Sequence, residues 1–193
     1  MQKIDVCAGL TLPFFPMRPS TGRTLRTPKL VREFLAGFDS DYWVMHPKLN
    51  GDRAGLAVVD GRCFVQNRHG GWYRNRVKNA DAFLRLGNGF CLDGEVFESV
   101  FYPFDTVAES GELCTELPTD ERERLTRKLL ASIKQPWVFD PPSADWLEAR
   151  QVNLPKWEGV VLKCRKSGYV RHGDDQASSL AWMKRRWDNR KLV

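Results

Sequence analysis

The chain has 193 residues, of which 42% are hydrophobic and 28% charged. That is long enough for one well-buried domain, too short for two of ordinary size, and too apolar for a disordered chain. Thirty lysines and arginines against 24 aspartates and glutamates give a formal net charge of +6, which suits a protein that faces a polyanion. The N-terminus carries Lys3, Asp5 and early prolines but no long apolar run, and nowhere do eighteen apolar residues follow one another. The expectation is a cytoplasmic protein with no membrane segment. Cys7, Cys63, Cys91, Cys114 and Cys164 are scattered, with no C-x-x-C pair and three histidines, so reduced thiols are expected rather than a zinc site.

In chain order, Thr27 is placed to N-cap a helix with Pro28 at its first position. Leu30, Val31, Phe34 and Leu35 form the apolar face, and Gly37 ends it. An apolar stretch, Tyr42 to Met45, then leads into Lys48-Leu49-Asn50-Gly51-Asp52-Arg53. This sets Lys48 at a strand end near a tight turn in which Gly51 is free to take positive φ. Leu56 to Val59, Asp60-Gly61 and Cys63 to Gln66 read as a β-hairpin with a type I′ turn. Further strands are expected at Phe90 to Phe97, Phe104 to Ala108, Val160 to Lys163 and Ala181 to Lys184. Thr119 is read as the cap of a second helix with Leu125, Leu129, Leu130 and Ile133 at helical spacing. Hairpin strands with helices inserted between them indicate an α+β domain of antiparallel sheets around a central cleft.

A lysine in an apolar, partly desolvated pocket beside other cations becomes a usable nucleophile. On its own, the hexapeptide at Lys48 also reads as a surface hairpin with a solvated lysine. Four companions follow it: Leu92-Asp93-Gly94-Glu95-Val96, Phe101-Tyr102-Pro103-Phe104-Asp105, Glu158-Gly159-Val160-Val161-Leu162-Lys163, and Trp182-Met183-Lys184-Arg185-Arg186. Together they resemble motifs I, III, IIIa, IV and V of the covalent nucleotidyltransferases, the superfamily of DNA ligases, RNA ligases and mRNA capping enzymes. The order and spacing hold from about Pro16 to Arg186. Phe14 to Ser20, Glu116 to Leu130, and Ser167-Gly168-Tyr169 through Gly173 to Ser179 are similar to segments of the ATP-dependent DNA ligase branch. Two departures stand out. Asn50 occupies a position that is aspartate in most ligases and Asn in several RNA-joining relatives, and the chain stops shortly after motif V. The resemblance therefore implies a single ATP-grasp-like nucleotidyltransferase domain over residues 1–193, without an OB-fold domain.

The resemblance assigns roles that suit the residue types. Lys48 attacks the α-phosphate of ATP. Arg53 offers a planar fork of donors to the ribose side of the nucleotide and Glu95 accepts from a ribose hydroxyl. Phe104 and Val161 cover the two faces of the adenine. Glu158, with Glu95, is the expected carboxylate for hydrated Mg²⁺, with Mn²⁺ as a substitute. Lys163, Lys184 and Arg186 neutralise charge on the phosphates, Arg186 standing where the motif has lysine. His46 falls where many DNA ligases have a glutamate that contacts adenine. The tryptophans receive no role.

Basic residues gather before motif I (Arg18, Arg23, Arg26, Lys29, Arg32) and at the end (Arg165, Lys166, Arg171, Lys184, Arg185, Arg186, Arg190, Lys191). They are read as flanking a groove for nucleic acid, the alternative being two solvated faces. The expected function is sealing of nicked duplex DNA by a monomer, with a separate protein supplying the missing domain as an open question. RNA strands as substrate, a capping-type guanylyltransferase, and a non-catalytic nucleotide- or nucleic-acid-binding module are the alternatives.

Overall fold

The computed structural model describes residues 3–73, 77–135, 157–170 and 178–186. Strands β1 (Ile4–Cys7), β2 (Leu10–Leu12) and β3 (Arg18–Thr21) lead to helix α1 (Pro28–Ala36). Next come β4 (Trp43–Leu49), β5 (Asp52–Val59), β6 (Arg62–Asn67) and the short helix α2 (Ala80–Phe83) with a 3-10 turn. Strands β7 (Phe90–Phe97), β8 (Val100–Glu109) and β9 (Glu112–Leu113) precede helix α3 (Thr119–Ser132), and β10 (Trp157–Cys164) and β11 (Ser178–Arg186) complete the order. The class is α+β, as expected. No helix among the described residues is long and apolar enough to cross a membrane.

The chain divides into two compact units, Met1–Met17 with Gly51–Val138 and Gly168–Ala177, and Arg18–Asn50 with Phe139–Ser167 and Ser178–Val193. In the first unit β6-β5-β7-β8-β9 form an antiparallel sheet. Alternation along the strands sends Ala54, Leu56 and Val58 of β5, and Phe90, Leu92 and Val96 of β7, into one apolar core. Phe83 of α2 and Leu129 and Leu130 of α3 close that core from the helical side. The hairpin at Asp60-Gly61 forms as expected, with φ of 49° and 67°.

Two expectations need correction here. β8 starts at Val100 rather than Phe104, because Glu98 and Ser99 make a tight turn with φ of 50° and 64° although neither is glycine or asparagine. Pro118, not Thr119, precedes the first turn of α3, and the Thr119 hydroxyl accepts instead from Arg122 Nη2 at 3.2 Å. Leu129, Leu130 and Ile133 do face the core, whereas Leu125 is half-buried. The same helix buries Arg122 and Thr126 completely, Arg122 Nε donating to Asp105 Oδ1 at 2.7 Å and Thr126 sharing a 2.8 Å hydroxyl bond with Thr106 of β8.

The second unit holds the sheet β3-β11-β10-β4 with α1 on one face. Helix α1 has the expected bounds, the Thr27 hydroxyl accepting from Leu30 N at 3.2 Å and Gly37 closing its end. Val31 is fully buried and Phe34 and Leu35 pack beside it, while Leu30 points outward at 38% exposure. Met45 of β4 and Val160 and Leu162 of β10 face this helix. The sheet is not wholly antiparallel as expected, since β3 runs parallel to β11. Two segments far apart in sequence are joined by that pairing, which no local pattern encodes.

Candidate active site

Strands β4, β10 and β11 present one face to α1, and alternation puts every second residue on the other. On that other face the register sets Lys48, Gly159 and Arg186 in one row, His46, Val161 and Lys184 in the next, and Val44, Lys163 and Trp182 in a third. Lys48, Lys163, Lys184 and Arg186, with the neighbouring His46, therefore share one surface. Alternating apolar residues place them there while Met45, Val160 and Leu162 hold the core.

Glu158 is brought to Lys48 by a β-bulge. Trp157 pairs with Leu49 and Gly159 with Lys48, so Glu158 is the extra residue of the bulged strand. Its Oε1 forms an ion pair with Lys48 Nζ and lies 3.4 Å from Arg186 Nη2. Gly159 makes the bulge possible: its φ is +153°, and a Cβ there would stand 2.0 Å from the Arg185 carbonyl oxygen. The lysine thus sits against a carboxylate, in addition to the apolar, partly desolvated surroundings with cations nearby that were expected. Lys163 is buried, with its Nζ 4.3 Å from the centre of the Trp182 ring, a cation–π contact that helps hold a desolvated ammonium.

In the first unit β5 and β7 set Arg53 opposite Glu95, on the sheet face away from the apolar core. The Arg53 fork is already engaged. Its Nε donates to Asp93 Oδ1 at 2.6 Å, and its Nη2 donates to Asp93 Oδ2 and to the Met17 carbonyl, the latter at 3.1 Å. The guanidinium lies over the Phe104 ring at 4.6 Å. Burial alone would lower the Arg53 pKa, but the adjoining Asp93 carboxylate outweighs it and raises it above the ordinary guanidinium value. Phe104 therefore offers one ring face to arginine, and Val161, its expected companion across the adenine, belongs to the other unit. Gly51 does not take the positive φ expected of it; it is needed because a Cβ would meet the Val96 carbonyl oxygen at 2.5 Å.

Sequence reasoning gave no role to Asp93, Tyr169 or Met17, which surround Arg53. The signal was present in two forms: an aspartate inside the apolar run of β7, and an arginine due to be buried that needed a partner. Tyr169 donates its hydroxyl to Asp93 Oδ2 at 2.6 Å and is 3% exposed.

As for metal, no group of three or more His, Cys, Asp or Glu side chains gathers among the described residues. Glu158 supplies a hard oxygen donor beside the cations of its sheet, which fits Mg²⁺, an ion commonly held by one or two carboxylates together with substrate phosphates. Glu95 lies in the other unit.

The two basic runs meet in the second unit. β3, which begins at Arg18, pairs with β11; Gly22 N donates to Lys184 O at 3.0 Å, and Leu25 N to Arg186 O at 2.7 Å. Arg23, Arg26 and Lys29 are exposed, Lys29 lying 3.8 Å from Glu33 one turn along α1. Arg185 Nη1 reaches the Arg23 carbonyl at 3.5 Å. Arg190 lies outside the described residues.

No protein-family model and no curated protein matches the sequence. Solved structures do match. The ligase domain of LigD from M. tuberculosis superposes with a TM-score of 0.66 at 20% identity, over 90% of this chain and 59% of that one. A mycobacterial DNA ligase D complexed with ATP and MES gives 0.61 at 18%, over 90% and 60%. A structure from a study of Lig E DNA ligases, described as binding DNA with a minimal scaffold, gives 0.50 at 18%, over 88% and 69%. The chain thus spans about three fifths of the length of the first two. At this identity the likeness concerns architecture, and in architecture the chain has the fold of these DNA ligase domains.

Proposed function

We propose that the chain is an ATP-dependent polynucleotide ligase that seals nicked duplex DNA through a lysyl-AMP intermediate. The observation that carries this reading is the row Lys48, Glu158 and Arg186, with Lys184 and Lys163 on the same sheet face. The amine of Lys48 shares its sheet face with the cations that a polyphosphate requires, and a module that only binds has no need of the nucleophile. Lys48 Nζ, having given up a proton, attacks the α-phosphorus of ATP; a P–N bond forms and pyrophosphate leaves. AMP then passes to a 5′-phosphate, restoring the amine, and a 3′-hydroxyl displaces AMP to close the strand.

Within this scheme Lys163, Lys184 and Arg186 offset charge on the α-phosphate and the leaving group. Arg53, Glu95 and Phe104 take the nucleoside, with Val161 against the base. Glu158, with Glu95 as a second carboxylate, would hold Mg²⁺, which supplies charge neutralisation at the phosphates when bound. Arg18, Arg23, Arg26, Lys29, Arg185 and Arg190 contact backbone phosphates. We take the protein to act as a cytoplasmic monomer. A second reading, joining of RNA strands, draws on Asn50 in place of aspartate.

Incubation with α-labelled ATP or GTP and Mg²⁺ or Mn²⁺, followed by denaturing electrophoresis, tests the proposal. Label from ATP should stay on the protein and disappear in Lys48→Ala. Label on another residue, or none with either nucleotide and either metal, sinks the catalytic reading and favours a binding module.

A further inference from the structure

Arg53 is held on three sides. Asp93 meets it with both carboxylate oxygens, the Met17 carbonyl accepts from Nη2, and the Phe104 ring lies under the guanidinium. A fork of this kind fixes the arginine relative to the carboxylate. The carboxylate is held in turn by Tyr169. Its hydroxyl donates to Asp93 Oδ2 at 2.6 Å and accepts from Met17 N at 3.0 Å, so one oxygen ties together the two groups that hold Arg53.

The tyrosine is itself fixed. Its backbone N donates to the Thr115 carbonyl at 2.7 Å, and Val170 N reaches Met17 Sδ at 3.1 Å. Gly168 lets the segment lie flat, since a Cβ there would stand 2.8 Å from that same Thr115 oxygen. On the ring, the Arg122 guanidinium sits 5.6 Å from the centroid. A residue that served only to fill space would do so more cheaply as phenylalanine, because a buried hydroxyl costs free energy unless it is bonded. This hydroxyl is bonded twice, both times to groups that grip Arg53.

We propose that Tyr169 is a positioning residue for Arg53, its hydroxyl locking the Asp93 carboxylate and the Met17 backbone so that the guanidinium keeps the orientation in which it meets the nucleotide. This rests on the reading of Arg53 as a nucleotide contact. Tyr169→Phe keeps the ring and removes only the hydroxyl. The KM for ATP in lysyl-AMP formation should rise about tenfold, the scale of one hydrogen bond to a charged group, while the rate at saturating ATP changes by less than about threefold. Asp93→Asn should shift KM in the same direction, and serves if Tyr169→Phe does not fold.

Arg53→Lys separates the two levels of the argument. In that background, where no fork remains to be aligned, adding Tyr169→Phe should raise KM no further. A wild-type KM in folded Tyr169→Phe overturns the positioning role, as does a full additive loss in the double variant, which would mark Tyr169 as structural. If Arg53→Lys alone keeps the wild-type KM, the nucleotide contact is itself wrong, and both readings fall.

Discussion

Replacing Gly159 by alanine should damage the chemistry without touching any group that takes part in it. The residue sits at φ +153°, where a side chain is strained by about 1–3 kcal/mol. The new Cβ would also stand 2.0 Å from the Arg185 carbonyl oxygen and 2.9 Å from the Arg186 Cα, both backbone atoms that no rotamer change can remove. Relief requires the end of the β10–β11 ladder to open, at a cost of roughly 1 kcal/mol for a lost hydrogen bond. The sum is about 2–4 kcal/mol, or a fall of roughly 1–2 M in a urea midpoint at an ordinary m-value of about 2 kcal/mol/M. Because Glu158 and Arg186 flank the opened end, lysyl-AMP formation should drop at least about tenfold in the fraction that remains folded. Gly61→Ala is the control. It too has positive φ, 67°, but nothing lies within 4 Å of its Cβ, so it should cost about 1–2 kcal/mol and leave adenylation intact. Equal midpoints and equal labelling rates for Gly159→Ala and the parent protein would show that the bulge does not hold Glu158 against Lys48.

Glu158→Ala and Lys163→Ala should each reduce self-adenylation by about a hundredfold, the scale of losing an electrostatic stabiliser, with circular dichroism preserved; near-normal labelling in both means the sheet face has been misassigned. Arg23→Ala combined with Arg26→Ala should weaken binding to nicked duplex DNA and flatten its salt dependence by about 1.8 in the slope of log K against log salt, two phosphate contacts at about 0.9 each. Fluorescence anisotropy across a salt series reads this directly. Nick sealing should fall more than self-adenylation, and equal losses in both steps would separate these arginines from the nucleic acid.

Local signals predicted what local physics controls. Thr27, Pro28 and Gly37 bound α1, Asp60-Gly61 makes its turn, and β7 has the predicted bounds, because each is decided within a few residues. The motif residues also fell together where strand alternation ordered them, as in the rows running through Lys48, Val161 and Lys184. What escaped was settled at a distance. The turn at Glu98-Ser99 has no glycine to announce it, and Lys78 N holds it from outside by donating to the Ser99 carbonyl at 2.7 Å. The parallel pairing of β3 with β11 joins segments some 160 residues apart. Arg122, one of several charged residues along α3, received no role, because its partner Asp105 lies on another element. Arg53 was given a fork to offer, yet Asp93 already takes much of it.

The extra residue at Glu158 also resets the frame of β10. Beyond it, odd positions 159, 161 and 163 belong to the face that carries Lys48 and even positions 160 and 162 to the apolar one. Deletion of Val160 or Val161 would exchange the faces of the residues beyond it, driving Lys163 toward Val31 and lifting Leu162 onto the face that carries Lys48. Core and candidate site in this strand are thus written in a single alternating code, and neither can drift by one position without the other. The bulge is the point at which a shift of one residue is tolerated, and the residue that occupies it is the carboxylate paired with Lys48.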